Sequence, residues 1–242
     1  MLMPLKTIAN SVSLEISLYP VTSFLTAMYN SQYIVVIWAT IAVSLISSLP
    51  SSQGYSPRED ARVIAEYKRE LELNHAKIAR QLVHQANWAS VGSISTNKIV
   101  ENYPMVNIVA IDDNDVHGNS TGKIRFLLTD LDFTGPDWQK NNKVTFTFTD
   151  EQTLNCQKAG KDPMEPTCAR TMLSGQVKKM VEDDASYKPA LDAFLKRHPA
   201  GTNWLKFHTF YLCELVIKNI FVLDFYGGPH EVSASDYYAI TI

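Results

Sequence analysis

Across residues 60–84 the apolar side chains Val63, Ile64, Tyr67, Leu71, Ile78, Leu82 and Val83 return at roughly helical intervals, with Glu66, Arg69, Glu70 and Lys77 between them. That spacing lays one apolar stripe along a rod and predicts one or two amphipathic helices. Ser56-Pro57-Arg58-Glu59 predicts the start. Ser56 and Glu59 can each accept from the other's backbone, and Pro57 stands at the first helical position, where a missing N–H costs nothing. After Trp88 the period changes to two. β-Branched and aromatic residues alternate with polar ones between turn formers, which predicts strands near 89–95, 106–111, 123–129, 143–149, 168–180, 207–217 and 219–225. The clearest is Lys143–Thr149, where Val144, Phe146 and Phe148 point to a dry face and the threonines to the other. A later helix is predicted from Pro189 through Leu195. It stops before His198-Pro199, because the residue preceding a proline avoids helical backbone. Ser233-Ala234-Ser235-Asp236 starts a short terminal helix.

Seven short strands with few peripheral helices predict a mainly β, α+β domain. A closed barrel removes the exposed edges such strands would otherwise carry, and a sandwich is the competing arrangement. The N-terminal region differs in kind. Residues 33–49 carry no charge and are followed by Pro50 and the small polar run Ser51-Ser52-Gln53-Gly54. This is the layout of a secretory signal peptide cleaved after Gly54; the alternative is an uncleaved signal-anchor helix. Both place the rest of the chain outside the cytosol. The expected division is a leader over 1–54, a helical segment over 55–87 and a barrel domain over 88–242.

Composition narrows the function classes. Hydrophobic residues make up 45% of the 242 and charged residues 19%, ordinary for a globular protein. The formal net charge is −3 and neither sign runs in a block, so the electrostatic footprint of a nucleic-acid binder is missing. Of three cysteines, Cys156 and Cys168 are separated by eleven residues. In an oxidising compartment that pair can close a loop worth about 3 kcal/mol. Read as metal ligands instead, the two lack further ligands at a zinc-site spacing. Cys213 lies in an apolar run and is expected as a buried free thiol. Asn119-Ser120-Thr121 is the single N-x-S/T sequon and falls in a polar loop, a candidate glycosylation site.

Motifs that anchor common enzyme classes are missing: no G-x-G-x-x-G, no phosphate-binding P-loop, no H-E-x-x-H. A nucleophile-elbow hydrolase is set aside as well. His75, His84, His117, His198, His208 and His230 are scattered, with no pair at helical metal spacing, and each is expected to be structural or exposed without a tuning partner. Asp112-Asp113-Asn114-Asp115 has a faint likeness to a calcium loop, but position six is His117 where that loop needs Gly, so a solvated loop is expected. The most concentrated signal is Asp224-Phe225-Tyr226-Gly227-Gly228-Pro229, at the end of the apolar run 220–223. Paired glycines there imply positive φ or close backbone approach, by a ligand or a neighbouring chain; a tight turn into the last helix is the plainer reading.

Several runs together resemble one family. They are residues 88–96 (Trp-Ala-Ser-Val-Gly-Ser-Ile-Ser-Thr), 126–131 (Phe-Leu-Leu-Thr-Asp-Leu), 168–175 (Cys-Ala-Arg-Thr-Met-Leu-Ser-Gly), Arg197-His198-Pro199 and Asp224-Phe225-Tyr226-Gly227-Gly228-Pro229. In order and spacing they resemble the CREG family over nearly the whole chain after residue 75. The resemblance implies a six-stranded split β-barrel of the FMN-binding type with peripheral helices, similar to pyridoxamine phosphate oxidases and assembled as a homodimer. It also implies secretion, glycosylation, traffic to endosomes and lysosomes, mannose-6-phosphate receptor binding in some members, and effects on cell growth and differentiation. The expected function is therefore a non-catalytic dimeric binding module without cofactor or nucleic-acid partner, touching membrane only through its leader. The alternative is an FMN-dependent oxidoreductase. In the oxidase relatives a His-Thr and an Asn-Leu after the equivalent of Thr129-Asp130-Leu131 help hold the flavin phosphate. Here the following residues 132–138 carry carboxylates instead, and like charges at about 4 Å repel by roughly 1–4 kcal/mol. Lys123, Arg125 and Arg170 remain as cations that neighbouring strands can supply. Tyr226, Gly227, Gly228 and Pro229 are the candidate dimer or pocket turn.

Overall fold

The computed structural model describes residues 57–242. The expected leader and the Ser56 half of the capping pair lie outside them. Helix α1 is one unbroken rod of 29 residues, Pro57–Gln85. Its buried stripe differs from the predicted one: Val63 and Ile64 are exposed, and burial begins only at His75, continuing through Ala76, Ala79, Arg80, Leu82 and Val83. Two alanines and a valine at this contact let the helix axis approach the strands closely.

Seven strands follow: β1 (Trp88–Ile94), β2 (Pro104–Asn114), β3 (Ser120–Thr129), β4 (Lys143–Thr149), β5 (Arg170–Lys179), β6 (Phe210–Leu223) and β7 (His230–Val232). They hydrogen-bond in the order β3-β2-β1-β4-β5-β6-β7, every pair antiparallel, and β3 also pairs with β6. The β3–β6 pairing closes a six-strand barrel, so the barrel reading holds against the sandwich. Strand β6 makes closure possible by its length. Its residues 210–214 face β3, while 220–222 further along the same edge face β7. The sequence pattern divides this element at Lys218 into two strands; it is one strand, with the register slipping by one residue opposite Ser174 and Gly175. Lys218 is the extra residue of a β-bulge. A Cβ on Gly175 would lie 2.4 Å from Val216 O, so the glycine of the Met-Leu-Ser-Gly run is required by that close strand approach.

The barrel is filled by alternate side chains, among them Val91, Ile111, Phe126, Phe146, Phe148, Leu173, Leu215 and Ile220, all essentially inaccessible. The same cluster takes in Ala76, Ala79, Leu82 and Val83, so the second half of α1 belongs to the barrel core. Each such large aliphatic or aromatic side chain contributes about 1.5–3 kcal/mol by leaving water. A smaller cluster lies outside the barrel wall, where Leu127 and Leu212 pack against Ala190 and Phe194 of α4 (Tyr187–Arg197), with Trp204 of α5 (Gly201–Phe207) beside them. Helix α2 (Thr134–Lys140) crosses below β1, α3 (Asn155–Lys158) sits in the β4–β5 connection, and α6 (Ala234–Ala239) is capped by Ser233, whose hydroxyl accepts from Asp236 N. The helices α2, α3 and α5 and the three-residue β7 were not legible in the pattern. Among the described residues no helix is long and apolar enough to cross a membrane.

Candidate functional site

The segment that the family resemblance sets against the phosphate-binding segment of flavin oxidases runs from the end of β3 through α2. Its three carboxylates are all hydrogen-bonded within the protein, though Asp130 is exposed, Asp132 half-buried and only Asp137 buried. Asp137 is buried and accepts from Ser93 Oγ (2.7 Å), Thr96 N (2.7 Å) and Thr96 Oγ1 (2.9 Å), which ties α2 to the end of β1. Asp132 accepts from Asn107 Nδ2 and Phe133 N, both at 2.7 Å. Asp130 Oδ1 accepts from the Tyr211 hydroxyl (2.8 Å) and Gln139 Nε2 (2.7 Å), and Trp138 Nε1 donates to the same hydroxyl. Burial pushes the Tyr211 phenol up to about 12, so it remains a donor to Asp130 at neutral pH. Of the candidate cations, Arg125 is buried, donating to Asn114 O (2.8 Å) and standing 3.6 Å from Glu214, and Arg170 donates to the carbonyls of Pro163 and Met164. A phosphate dianion does not fit here. Three carboxylates occupy the donors it would need, two of the three candidate cations are already engaged, and Arg170, paired with Leu223, lies at the far end of β6 from the Thr129–Phe210 pair.

Asp112 and Asp113 overturn the expectation of a solvated loop: both are inaccessible, at the inner end of β2. Arg197, the last residue of α4, explains why. Its Nε stands 3.1 Å from Asp112 Oδ1 and one terminal nitrogen 3.5 Å from Asp113 Oδ1, while the guanidinium also donates to Ala86 O, His84 O and Asn114 Oδ1, each at 3.1 Å. One planar fork thus satisfies two buried carboxylates and two carbonyls at the C-terminal end of α1. Burial pushes the Asp112 carboxyl above its ordinary range, with Arg197 the main opposing influence. Asp113 has further partners in His84 Nδ1, at 2.9 Å, and the Ser120 hydroxyl, which in turn accepts from buried Arg80. Next in the corner, His198 Nε2 donates to Ile111 O at 2.7 Å. The histidines are therefore less isolated than their spacing suggests. Gly118-Asn119-Ser120-Thr121-Gly122 does spell a bare G-x-S-x-G, but it is a turn into β3 with Ser120 bound to Asp113 and Arg80, and no helix follows.

The β6–β7 hairpin holds a second cluster of the same residue types. Gly227 and Gly228 have φ of 119° and 100°, as their pairing predicts, and a Cβ on Gly228 would meet nothing within 4 Å. The glycines serve the turn itself. That turn leads into β7 before the last helix, and sets His230 opposite Val222, two residues from Asp224. Tyr226 is exposed at its tip. Helix α1 brings His75 to the same place: its ring stacks on His230 at 4.0 Å between centroids with 10° between planes, and its Nε2 lies 3.7 Å from Asp224 Oδ1. That Asp224 oxygen is buried and accepts no hydrogen bond. Burial lowers the His75 pKa below its ordinary value, Asp224 opposing and His230 reinforcing the shift.

The remaining expected positions fall as follows. Asn119 is exposed in the β2–β3 turn, its amide nitrogen 3.0 Å from Asp115. Cys156 and Cys168 form a disulfide that ties α3 to the approach of β5, and Cys213 is a buried free thiol whose pKa burial pushes up to about 12. One broad sheet face stays uncovered by helices. Val106 and Ile108 of β2 are 69% and 62% exposed, and beside them Ser90, Gly92, Thr145 and Thr147 of β1 and β4 make a shallow surface of small side chains.

Residues 70–239 match the family model described as CREG, beta-barrel. Protein CREG1 of Mus musculus is 34% identical over 166 residues, covering 69% of this chain and 74% of its own. Protein CREG1 of Homo sapiens is 33% identical over 186 residues, 77% of each chain. Among solved structures, a heme binding protein from Mycobacterium smegmatis superposes with a TM-score of 0.52 at 15% identity, covering 68% of this chain and 60% of that one. Campylobacter jejuni ChuZ superposes at 0.50 and 12% identity, covering 81% and 67%. At such identities these two likenesses concern the fold alone.

Proposed function

The chain belongs to the CREG family, and from that premise we propose that it is a secreted or endolysosomal glycoprotein working as a non-catalytic, dimeric binding module in cell growth and differentiation. The observation that carries this reading is that Asp130, Asp132 and Asp137, in the segment the family resemblance sets against the oxidases' phosphate grip, are each bound into the protein's own hydrogen bonding. The fold persists while its cofactor grip is rebuilt as structure, a pattern in which architecture outlives chemistry. The uncovered face around Val106 and Ile108 supports self-association, because aliphatic side chains this exposed lose little entropy and gain burial when a second copy covers them. An exposed Asn119 supports glycosylation, and a glycan is the feature that a mannose-6-phosphate receptor reads. The Cys156–Cys168 disulfide supports an oxidising address.

The test is absorbance and mass analysis of the protein purified from the medium of secreting cells. The expected product carries no stoichiometric flavin, shifts in mobility on endoglycosidase treatment unless Asn119 is replaced, and scatters light as a dimer that Ile108→Lys converts to monomer. Stoichiometric flavin, or a wild-type monomer at micromolar concentration, overturns the reading.

A further inference from the structure

We propose that His75, Asp224 and His230 form a binding site for one divalent transition-metal ion of the zinc class, joining helix α1 to the β6–β7 hairpin. One ligand atom from each of the three lies within 4.8 Å of the other two. Donors that share an ion at about 2.0–2.2 Å must themselves stand roughly 3–4 Å apart, and His75 Nε2 is 3.7 Å from Asp224 Oδ1. Two borderline imidazoles join one hard carboxylate. They suit zinc and its neighbours, whereas calcium and magnesium call for oxygen throughout. Three protein ligands leave a fourth position for water.

The orphaned oxygen is the independent sign. Asp224 Oδ1 is buried without a hydrogen bond, which a carboxylate tolerates poorly. A cation between it and the histidines supplies what it lacks. The stacked rings define what must move, since lone pairs in planes only 10° apart do not converge on a point. His75 is 8% exposed and held by the helix, so capture turns the His230 ring out of the stack. His230 is half-buried and opens a strand of three residues just beyond Gly227, Gly228 and Pro229, at the end of the hairpin turn, where such a rotation meets least resistance. Among the described residues one other group has the composition of a metal site, Glu151, Cys156 and Cys168, and its sulfurs are joined to each other. The inference stands apart from the binding-module reading: a flavin enzyme of this fold could equally carry the ion.

The experiment titrates ZnCl2 into the full secreted chain, stripped with chelator and kept oxidised, by calorimetry at neutral pH. Co2+ is the spectroscopic probe. The expected result is one Zn2+ per chain, a higher Tm with zinc, and visible d–d absorption of the cobalt form. Asp224→Asn and His230→Gln should each weaken affinity by about tenfold or more and abolish the zinc-dependent Tm shift, with the metal-free circular dichroism unchanged. His117→Gln, an exposed histidine elsewhere, should bind as wild type. No stoichiometric zinc on wild type, wild-type affinity in both site variants, or a preference for Ca2+ over Zn2+ overturns the proposal. His230→Gln alters a half-buried residue at a strand end, so the test survives even if the buried His75 tolerates no change.

Discussion

Helix α1 touches two clusters of histidine and aspartate a few turns apart, and they differ in whether their polar atoms are satisfied. At its C-terminal end Asp112, Asp113, Arg197, His84 and Ser120 form a closed network in which each carboxylate has a cationic partner and a neutral one. In its middle, His75 meets Asp224 and His230 with a carboxylate oxygen left over. The first arrangement holds three elements in register: α1, β2 and the end of α4. The second holds little and leaves coordination capacity unused. Identity of residue type says nothing of this difference; the number of partners does.

The sharpest way to break the contrast is Arg197→Ala. It strands two buried carboxylates, and the expected loss is about 3–5 kcal/mol in urea denaturation; a loss below about 1 kcal/mol would mean that the network is wetter than its burial indicates. Gly122→Ala probes the same network from the side. A Cβ there falls 2.5 Å from Arg80 Nη1 at a φ of +73°, so a loss of about 1–3 kcal/mol is expected. Asp224→Asn should do the opposite of Arg197→Ala, leaving metal-free stability within about 0.5 kcal/mol or raising it, because it removes a charge that has no good partner. At neutral pH the smallest effect concerns Cys213, which belongs to neither cluster. Its folded pKa is raised from 9.0 to about 12. The folded state therefore keeps a proton that the unfolded chain gives up, so this contribution is complete below pH about 9 and is lost as pH rises toward 12. A native thiol unreactive to alkylation at neutral pH, and reactive once unfolded, is the matching observation.

Features that depend on neighbours in sequence were legible. The β4 alternation, the stop at His198-Pro199 and the Ser233 start all stand where local chemistry puts them. The positive φ of Gly227 and Gly228 was legible for the same reason. Features decided by distant partners were not. Asp112 and Asp113 read as solvated because Arg197 is far along the chain. The stripe of α1 was misplaced because alanines, not Val63 and Ile64, meet the barrel. Strand β6 read as two because a bulge at Lys218 interrupts the alternation without interrupting the strand. His75 and His230 gave no signal at all, since a metal pair is usually sought at helical spacing and this one is assembled by a helix and a hairpin.

The pairing of β3 with β6 has one more consequence. It closes the ring while leaving a split in it: β2 pairs with β3 only from Ile111 onward, so the backbone edge of 104–110, like the outer side of three-residue β7, is open to an extended peptide. Elsewhere on the outside of the cylinder recognition is written in side chains, where substitutions can retarget a partner while the scaffold underneath stays the same.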